Sequence, residues 1–181
     1  MSHYKGLKDP SELDGLRKIL VDHKAVLFGN FKLTSGKESD VYVDIKKAYT
    51  DPVVLQRIAT GIIHVLKTDM IAGVELGAIP IIAAVSVIGS VPFIMIRKER
   101  EHGTKELVIG PEPAGMKVTI IEDVVTTGGS VLKAAESLRS KGALVSEVIC
   151  VVDREEGGSE NLRSAGISLR SLVKLSELMK S

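Results

Sequence analysis

Short apolar runs alternate with longer stretches of helical periodicity along the chain. Runs of about four to eight apolar residues between turn residues are typical of buried strands, and apolar residues three and four apart predict amphipathic helices. The predicted strands are residues 26–28, 31–33, 40–44, 70–74, 91–96, 118–121, 143–152 and 167–173, and a hairpin is predicted over 105–115. The predicted helices are residues 10–23, a helix opening at Asp51-Pro52, 79–88, 129–140, a helix ending over 161–165, and 171–180. Alternating strands and helices predict an α/β fold with a mostly parallel central sheet flanked by helices.

Length and composition narrow the class of protein. A chain of 181 residues without repeats or linkers suits one domain over residues 1–181. A formal net charge of +1 and an aromatic content of 3% argue against a nucleic-acid partner. No apolar run reaches membrane-spanning length, so we expect no membrane partner and a cytoplasmic location. Cys150 lies in an apolar run and is expected to be a small buried hydrophobe, and no protein metal ligands are predicted.

The chemistry is concentrated in residues 117–135, K-V-T-I-I-E-D-V-V-T-T-G-G-S-V-L-K-A-A. A predicted strand leads to two acids, then to a turn of glycines and hydroxyl residues, and then to a helix. Glycines let backbone N–H groups approach an anion, and a helix N-terminus supplies unpaired donors. Glu122 and Asp123 would accept hydrogen bonds from sugar hydroxyls, so the stretch predicts a ribose 5-phosphate ligand. The alternative is an ordinary capped strand-to-helix turn, against which the acidic pair argues.

This stretch resembles the 5-phosphoribosyl 1-diphosphate (PRPP) motif of the type I phosphoribosyltransferases: a hydrophobic strand, E/D-D, two residues and T-x-G-x-[ST]. The resemblance implies that the acids hold the ribose hydroxyls and the turn holds the 5-phosphate. The PRPP-binding residues implied are Glu122, Asp123, Val124, Val125, Thr126, Thr127, Gly128, Gly129 and Ser130. It also implies Mg²⁺ bound mainly through PRPP and pyrophosphate oxygens.

A run of mixed charge follows the predicted strand 91–96 and places Arg97, Lys98, Arg100 and His102 together. Such runs are often solvated faces, but this cluster of cations suits a diphosphate. The run resembles the R-K-E-x-K-x-H-G loop of the orotate phosphoribosyltransferases, with Arg100 where a lysine is usual and one residue fewer before it. That resemblance implies a flexible catalytic loop over residues 97–106 that binds PRPP and closes on the neighbouring subunit of a homodimer.

Two further segments, both in the N-terminal half of this chain, resemble segments of the same family. Residues 31–39 resemble F-x-L-x-S-G-[RK]-x-S, with Thr34 where many members have lysine; Lys32 or Lys37 is the candidate replacement. This part implies a small N-terminal hood. Glu75-Leu76-Gly77 resembles the turn whose backbone N–H groups hold pyrophosphate, although only the glycine matches the usual Tyr-Lys-Gly. An ordinary strand-to-helix turn is the alternative there.

Asp153-Arg154 follows another predicted strand and resembles the family's D-R-x-E-x-G. Ligands of open α/β sheets bind outside the carboxyl ends of strands, and the four anion-handling segments each follow a predicted strand, so we expect them to gather at one edge of the sheet. The resemblance implies that Arg154 and Thr126 contact orotate. The alternative is a surface ion pair between Arg154 and Asp153.

Four motifs in family order identify the chain as a member of the orotate phosphoribosyltransferases. The resemblance implies transfer of a phosphoribosyl group from PRPP to orotate in pyrimidine biosynthesis, giving orotidine 5′-monophosphate and pyrophosphate. The catalytic residues implied are Arg97, Lys98, Arg100, His102 and Asp123. Two other functions stay open. A purine phosphoribosyltransferase would lack both the Arg-Lys-rich loop and the Asp-Arg strand end. A PRPP-sensing regulator would be expected to carry a nucleic-acid-binding segment, against which the near-neutral charge argues.

Overall fold

The structure, a computed structural model, describes residues 10–32, 38–97 and 107–180. In chain order its elements are α1 (Pro10–Asp22), β1 (Val26–Lys32), β2 (Glu38–Val43), α2 (Ile45–Ala48), α3 (Pro52–Val65), β3 (Met70–Val74), α4 (Ile79–Gly89), β4 (Phe93–Ile96), β5 (Val108–Ile109), β6 (Lys117–Val125), α5 (Gly129–Ser140), β7 (Leu144–Asp153), α6 (Gly158–Ser164), β8 (Ser168–Lys174) and α7 (Leu175–Leu178).

Six strands form the central sheet in the order β5-β4-β3-β6-β7-β8. All neighbouring pairs from β4 to β8 are parallel, and only the edge strand β5 is antiparallel to its neighbour. The strands β1 and β2, in the N-terminal part of the chain, form a separate antiparallel ribbon. The predicted α/β class with a mostly parallel sheet is therefore confirmed.

Apolar side chains pack on both faces of this sheet. In β3, Ile71 belongs to a core with α1, α3 and α4, whereas Met70 and Ala72 belong to a core with α5 and α6. Burial on both faces explains why the parallel strands are continuous apolar runs in the sequence. Cys150 is buried in the second core, as expected. Within the described part of the chain, no helix is both long and apolar enough to cross a membrane.

One strand differs from its prediction in a way that matters for the site. The strand predicted over residues 118–121 runs in fact to Val125, because β7 continues to pair with it as far as the Val125–Asp153 position. Glu122 and Asp123 therefore lie inside β6 and not in the turn that follows it. The sheet holds the backbone of both residues, which fixes the positions from which their side chains extend.

Three smaller differences concern element ends. The terminal helix predicted over 171–180 is only α7, because residues up to Lys174 pair with β7 as part of β8. The helix α2 was not predicted; Asp44 begins it by accepting a hydrogen bond from the Lys47 N–H at 3.3 Å. Of the hairpin predicted over 105–115, the described residues form one short strand, the two residues of β5, paired with β4.

Candidate active site

The carboxyl ends of β3, β4, β6 and β7 meet at one edge of the sheet. Gly73 pairs with both Met95 and Ile121, so the residues that follow β3 and β4 are level with the acids of β6. On the other side of β6, Val125 pairs with Asp153 at the end of β7. The expectation that the candidate segments gather at one edge is met wherever the chain is described.

The turn after β6 and the first two residues of α5, together residues 126–130, offer backbone donors at this edge. Gly128 adopts φ 81° in the left-handed region and is the N-cap of α5, which has no side-chain capping hydrogen bond. The first N–H groups of a helix have no partner within the helix, and they carry a partial positive charge. The turn is therefore able to bind an anion through its backbone.

The start of α6 packs against this turn. Asn161 donates a hydrogen bond from Nδ2 to the Thr127 carbonyl at 3.0 Å. A Cβ added at Gly158 would lie 2.5 Å from the Thr126 carbonyl oxygen and 2.7 Å from Cγ1 of Val125. Only a glycine permits so close an approach, so α6 fixes the path of this turn. Neither contact was predicted, since each joins residues about thirty positions apart along the chain.

The two acids of β6 are both buried, with 5% exposure for Glu122 and 6% for Asp123. Glu122 accepts hydrogen bonds from the Asp123 N–H at 3.2 Å and from Ser130 Oγ at 3.4 Å. Asp123 accepts from the Val124 N–H at 2.9 Å. Burial first, and then the neighbouring charge and hydrogen bond of Asp123, raise the pKa of Glu122 to about 8. The pair can therefore hold a proton at neutral pH.

Lys46 of α2 joins this pair, and it was not among the predicted site residues. Its Nζ donates to Asp123 Oδ2 at 2.6 Å and forms an ion pair with it. Tyr49, at the end of the same helix, is buried, and burial together with the charge on Asp123 raises the pKa of its phenol. Lys46 and Asp123 are 77 residues apart, so no local pattern could have indicated the contact.

The turn between β3 and α4 lies against Asp123 as well. A Cβ added at Gly77 would overlap the Asp123 carboxyl group, which explains why this position needs a glycine. The preceding Glu75–Leu76 peptide bond is cis, and the Leu76 side chain is 72% exposed. The α4 helix begins without a side-chain capping bond, but the Ile79 N–H already donates to the Leu76 carbonyl at 3.3 Å and Pro80 has no N–H.

Arg154 is buried at the end of β7, with a side-chain exposure of 7%. Its backbone N–H donates to the Val125 carbonyl at 2.9 Å, and one guanidinium nitrogen pairs with Glu156 at 2.9 Å. Its buried Nε has no hydrogen-bond partner in the described residues. Asp153 instead accepts from the Glu155 N–H at 2.8 Å. The alternative of a surface pair between Arg154 and Asp153 is therefore wrong.

Arg97 is the only one of the four predicted loop cations that the structure describes. It follows β4 directly, and its N–H donates to the Leu107 carbonyl at 2.8 Å. Lys98, Arg100 and His102 lie outside the described residues, as do Thr34 and Lys37. The side chain of Lys32 also lies outside the described set.

Comparisons with known proteins agree on the family. The family model of the phosphoribosyl transferase domain matches residues 47–166. The orotate phosphoribosyltransferase of Thermoplasma acidophilum is 49% identical over 166 residues, which cover 92% of this chain and 97% of that protein. The chain belongs to the orotate phosphoribosyltransferases.

Solved structures of orotate phosphoribosyltransferases have the same fold. The enzyme from Aeropyrum pernix superposes with a TM-score of 0.84 at 34% identity, covering 91% of this chain and 96% of that chain. The enzyme from Mycobacterium tuberculosis in complex with PRPP gives a TM-score of 0.77 at 26% identity, covering 93% and 99%. The family, the fold and the enzyme class predicted from the sequence are thus confirmed. The roles of individual site residues stay predictions.

Proposed function

We propose that this edge of the sheet binds PRPP and orotate and transfers the 5-phosphoribosyl group to the base, as the family name of the relatives states for them. One observation carries the proposal. Two buried carboxyl groups and an uncapped glycine turn lie in succession on one strand and the helix after it. Carboxyl oxygens accept from ribose hydroxyls while backbone N–H groups bind the 5-phosphate, so one molecule of PRPP satisfies both.

Within this proposal PRPP is held mainly by the chain from β6 to α5. Glu122 and Asp123 bind the ribose hydroxyls, directly or through water. The 5-phosphate is bound by the residues of the turn and its flanks: Val124, Val125, Thr126, Thr127, Gly128, Gly129 and Ser130. Because Gly158 and Asn161 pack against this turn, its donors are in place before the substrate arrives.

Orotate carries a carboxylate, and Arg154 is the cation proposed to bind it. Its guanidinium is buried and still has a hydrogen-bond donor without a partner in the described residues. A buried unpaired donor is unfavourable, so a ligand acceptor at this position would be bound strongly. Thr126, at the start of the adjoining turn, is the second proposed contact to orotate.

Departure of diphosphate leaves positive charge at the anomeric carbon and develops negative charge on the leaving group. Arg97, Lys98, Arg100 and His102 are proposed to stabilise that negative charge, together with the backbone of the Gly77 turn. One well-placed donor in a water-poor site is worth about 3 kcal/mol of transition-state stabilisation. Orotate is already anionic, so the reaction needs no strong base, and His102 or a loop lysine can act as acid towards the diphosphate.

The buried carboxyl groups suit Mg²⁺, which prefers oxygen ligands. In the described ranges, no cluster of three or more His, Cys, Asp or Glu residues could hold a metal by itself. Both oxygens of Asp123 already accept hydrogen bonds from protein donors. Mg²⁺ would therefore be bound mainly through PRPP oxygens and water, with Asp123 or Glu122 nearby. When bound, it would neutralise part of the diphosphate charge.

A homodimer is part of the proposal, with residues 97–106 reaching the site of the neighbouring subunit. An apolar groove of about 670 Å³ between α3 and α4 supports it; Leu55, Pro80, Ala84 and Val87 lie along it. Val87 is 82% exposed, and an apolar surface of this kind is typical of a protein interface. Light scattering of the wild type and of Val87→Glu would test this surface. The proposal also keeps the cytoplasmic location expected from the sequence.

The reaction is tested by following the ultraviolet absorbance of orotate with PRPP and Mg²⁺ present and with each omitted in turn. Loss of orotate only in the complete mixture is the expected result. PRPP binding without loss of orotate would favour another base or a sensor, and a panel of nucleobases would distinguish them. The buried Arg154 argues against a purine substrate, because purine bases carry no carboxylate for it to bind.

A further inference from the structure

The short helix α2 brings a cation to the acidic pair from a part of the chain that carries no predicted site residue. Lys46 Nζ lies 2.6 Å from Asp123 Oδ2, and the Asp123 side chain is only 8% exposed. The Lys46 side chain is 55% exposed, so its ammonium lies where the buried carboxyl group meets solvent. An incoming ligand would meet both groups together.

Asp123 is held from two other directions at the same time. Its Oδ1 accepts from the Val124 N–H at 2.9 Å, and its carboxyl group packs against Gly77, where even a Cβ would overlap it. The carboxyl group is thus enclosed by its own strand, by the turn after β3 and by α2. Of these contacts, only the one to Lys46 adds an opposite charge.

The charges around the pair explain why a cation is needed. Glu122 and Asp123 are adjacent buried acids, and the other titratable groups that interact with this cluster are Asp44, Tyr49 and, from β7, Cys150. Two carboxyl groups this close disfavour ionisation of each other. Lys46 is the cation whose ion pair offsets that repulsion, and no other ion pair to either acid is present in the described residues.

We propose that Lys46 is a positioning residue of the PRPP site. Its ammonium holds Asp123 against the Gly77 turn, so that the ribose-binding carboxylate and the diphosphate-binding turn are fixed relative to each other before PRPP binds. This inference rests on the proposed function for the roles of Asp123 and Gly77. Because Lys46 orders the free enzyme, its loss should raise the Kd and KM for PRPP more than it lowers kcat.

The test compares Lys46→Met, which removes the ammonium and keeps the length, with Lys47→Met as a matched control. Lys47 lies in the same helix, and its side chain forms no ion pair within the described set. Calorimetric titration with PRPP and Mg²⁺ should show a Kd raised about tenfold for Lys46→Met. Lys46→Arg should recover most of the affinity, and Lys47→Met and the KM for orotate should be unchanged.

The pH dependence of PRPP binding separates positioning by charge from a merely structural role. Removing a nearby cation makes the acidic pair retain its proton to higher pH. The midpoint pH of PRPP binding should therefore be about 0.5–1 pH unit higher for Lys46→Met than for the wild type. Lys46→Gln serves as a second variant if Lys46→Met melts at a lower temperature than Lys47→Met.

Wild-type affinity and an unshifted pH midpoint in both Lys46→Met and Lys46→Gln would overturn the inference. So would an equal loss of affinity in Lys47→Met. Failure of the proposed function gives a different result, because the wild-type protein itself would then bind no PRPP.

Discussion

The glycine turn after β6 and the acidic pair are neighbours along the chain, yet they are held in place by different means. The turn at residues 126–130 consists of backbone donors held in place by packing, with glycines where α6 approaches. The pair formed by Glu122 and Asp123 consists of side-chain charges balanced by Lys46 and by a retained proton. A site made of backbone is damaged by added atoms, whereas a site made of charges is damaged by lost charge or by pH.

The difference also separates what each half can recognise. Backbone N–H groups at a helix start bind anions of suitable shape. Their partial charge does not depend on pH. Carboxyl groups select ligands that donate hydrogen bonds, such as hydroxyl groups. The strength of those hydrogen bonds depends on whether the carboxyl group is ionised. Arg154 is comparable to the acidic pair and not to the turn, since its charge lies on a buried side chain. Four predictions test this contrast, in order of decreasing effect.

Gly158→Ala should have the largest effect. Its Cβ would lie 2.5 Å from the Thr126 carbonyl oxygen, so the turn must move, and a displacement of about 1 Å can cost about 100-fold in rate. We expect kcat/KM for PRPP to fall about 100-fold, with a lower melting temperature. Gly15→Ala is the control, because a Cβ there has nothing within 4 Å. Wild-type kinetics in Gly158→Ala would show that packing does not shape the turn.

Arg154→Ala should raise the KM for orotate by about 100-fold, because a buried charged donor to a carboxylate is lost. The Kd for PRPP should stay within about twofold, as Arg154 does not contact the acidic pair in the described structure. Steady-state kinetics and calorimetry measure the two quantities. Arg170→Ala is the control, since its ion pair with Glu147 is exposed. Equal loss for both substrates would contradict the assignment to orotate.

Glu122→Gln should change how stability depends on pH. The folded pKa of about 8 lies above the ordinary value of 4.5, so the folded state holds this proton more tightly. The resulting stabilisation is complete below about pH 4.5 and is lost as pH rises through about 8. Urea unfolding at pH 5 and pH 8.5 should show the wild type losing on the order of 1–3 kcal/mol relative to Glu122→Gln. A difference that does not vary with pH would contradict the retained proton.

Asn161→Ala should have the smallest effect. It removes one hydrogen bond to the Thr127 carbonyl at an exposed position, which is worth about 0.5–1.5 kcal/mol. The KM for PRPP should rise about two- to tenfold, with little change in the KM for orotate. A loss as large as that of Gly158→Ala would mean that hydrogen bonding, and not close packing, holds the turn.

Much of this protein follows from local patterns in its sequence. The strand Met70–Val74 and the helix Gly129–Ser140 were predicted at their observed bounds, and Asp51 caps α3 ahead of Pro52 as expected. Apolar runs, capping residues and glycine turns act over a few neighbouring residues, so they can be recognised without knowing the fold. Because each candidate segment follows a predicted strand, the sequence also predicted that they gather at one edge, since parallel strands end on the same side.

Contacts between distant parts of the chain were decided only by the tertiary structure. The extension of β6 to Val125 depends on β7, the ion pair of Lys46 with Asp123 joins residues 77 positions apart, and the partner of Arg154 depends on the path after β7. Gly77 and Gly158 are needed because other segments pack against them. The sequence by itself predicts which residues are candidates for binding PRPP and orotate, but packing determines how each one is held, because close contact depends on distances that local periodicity does not encode.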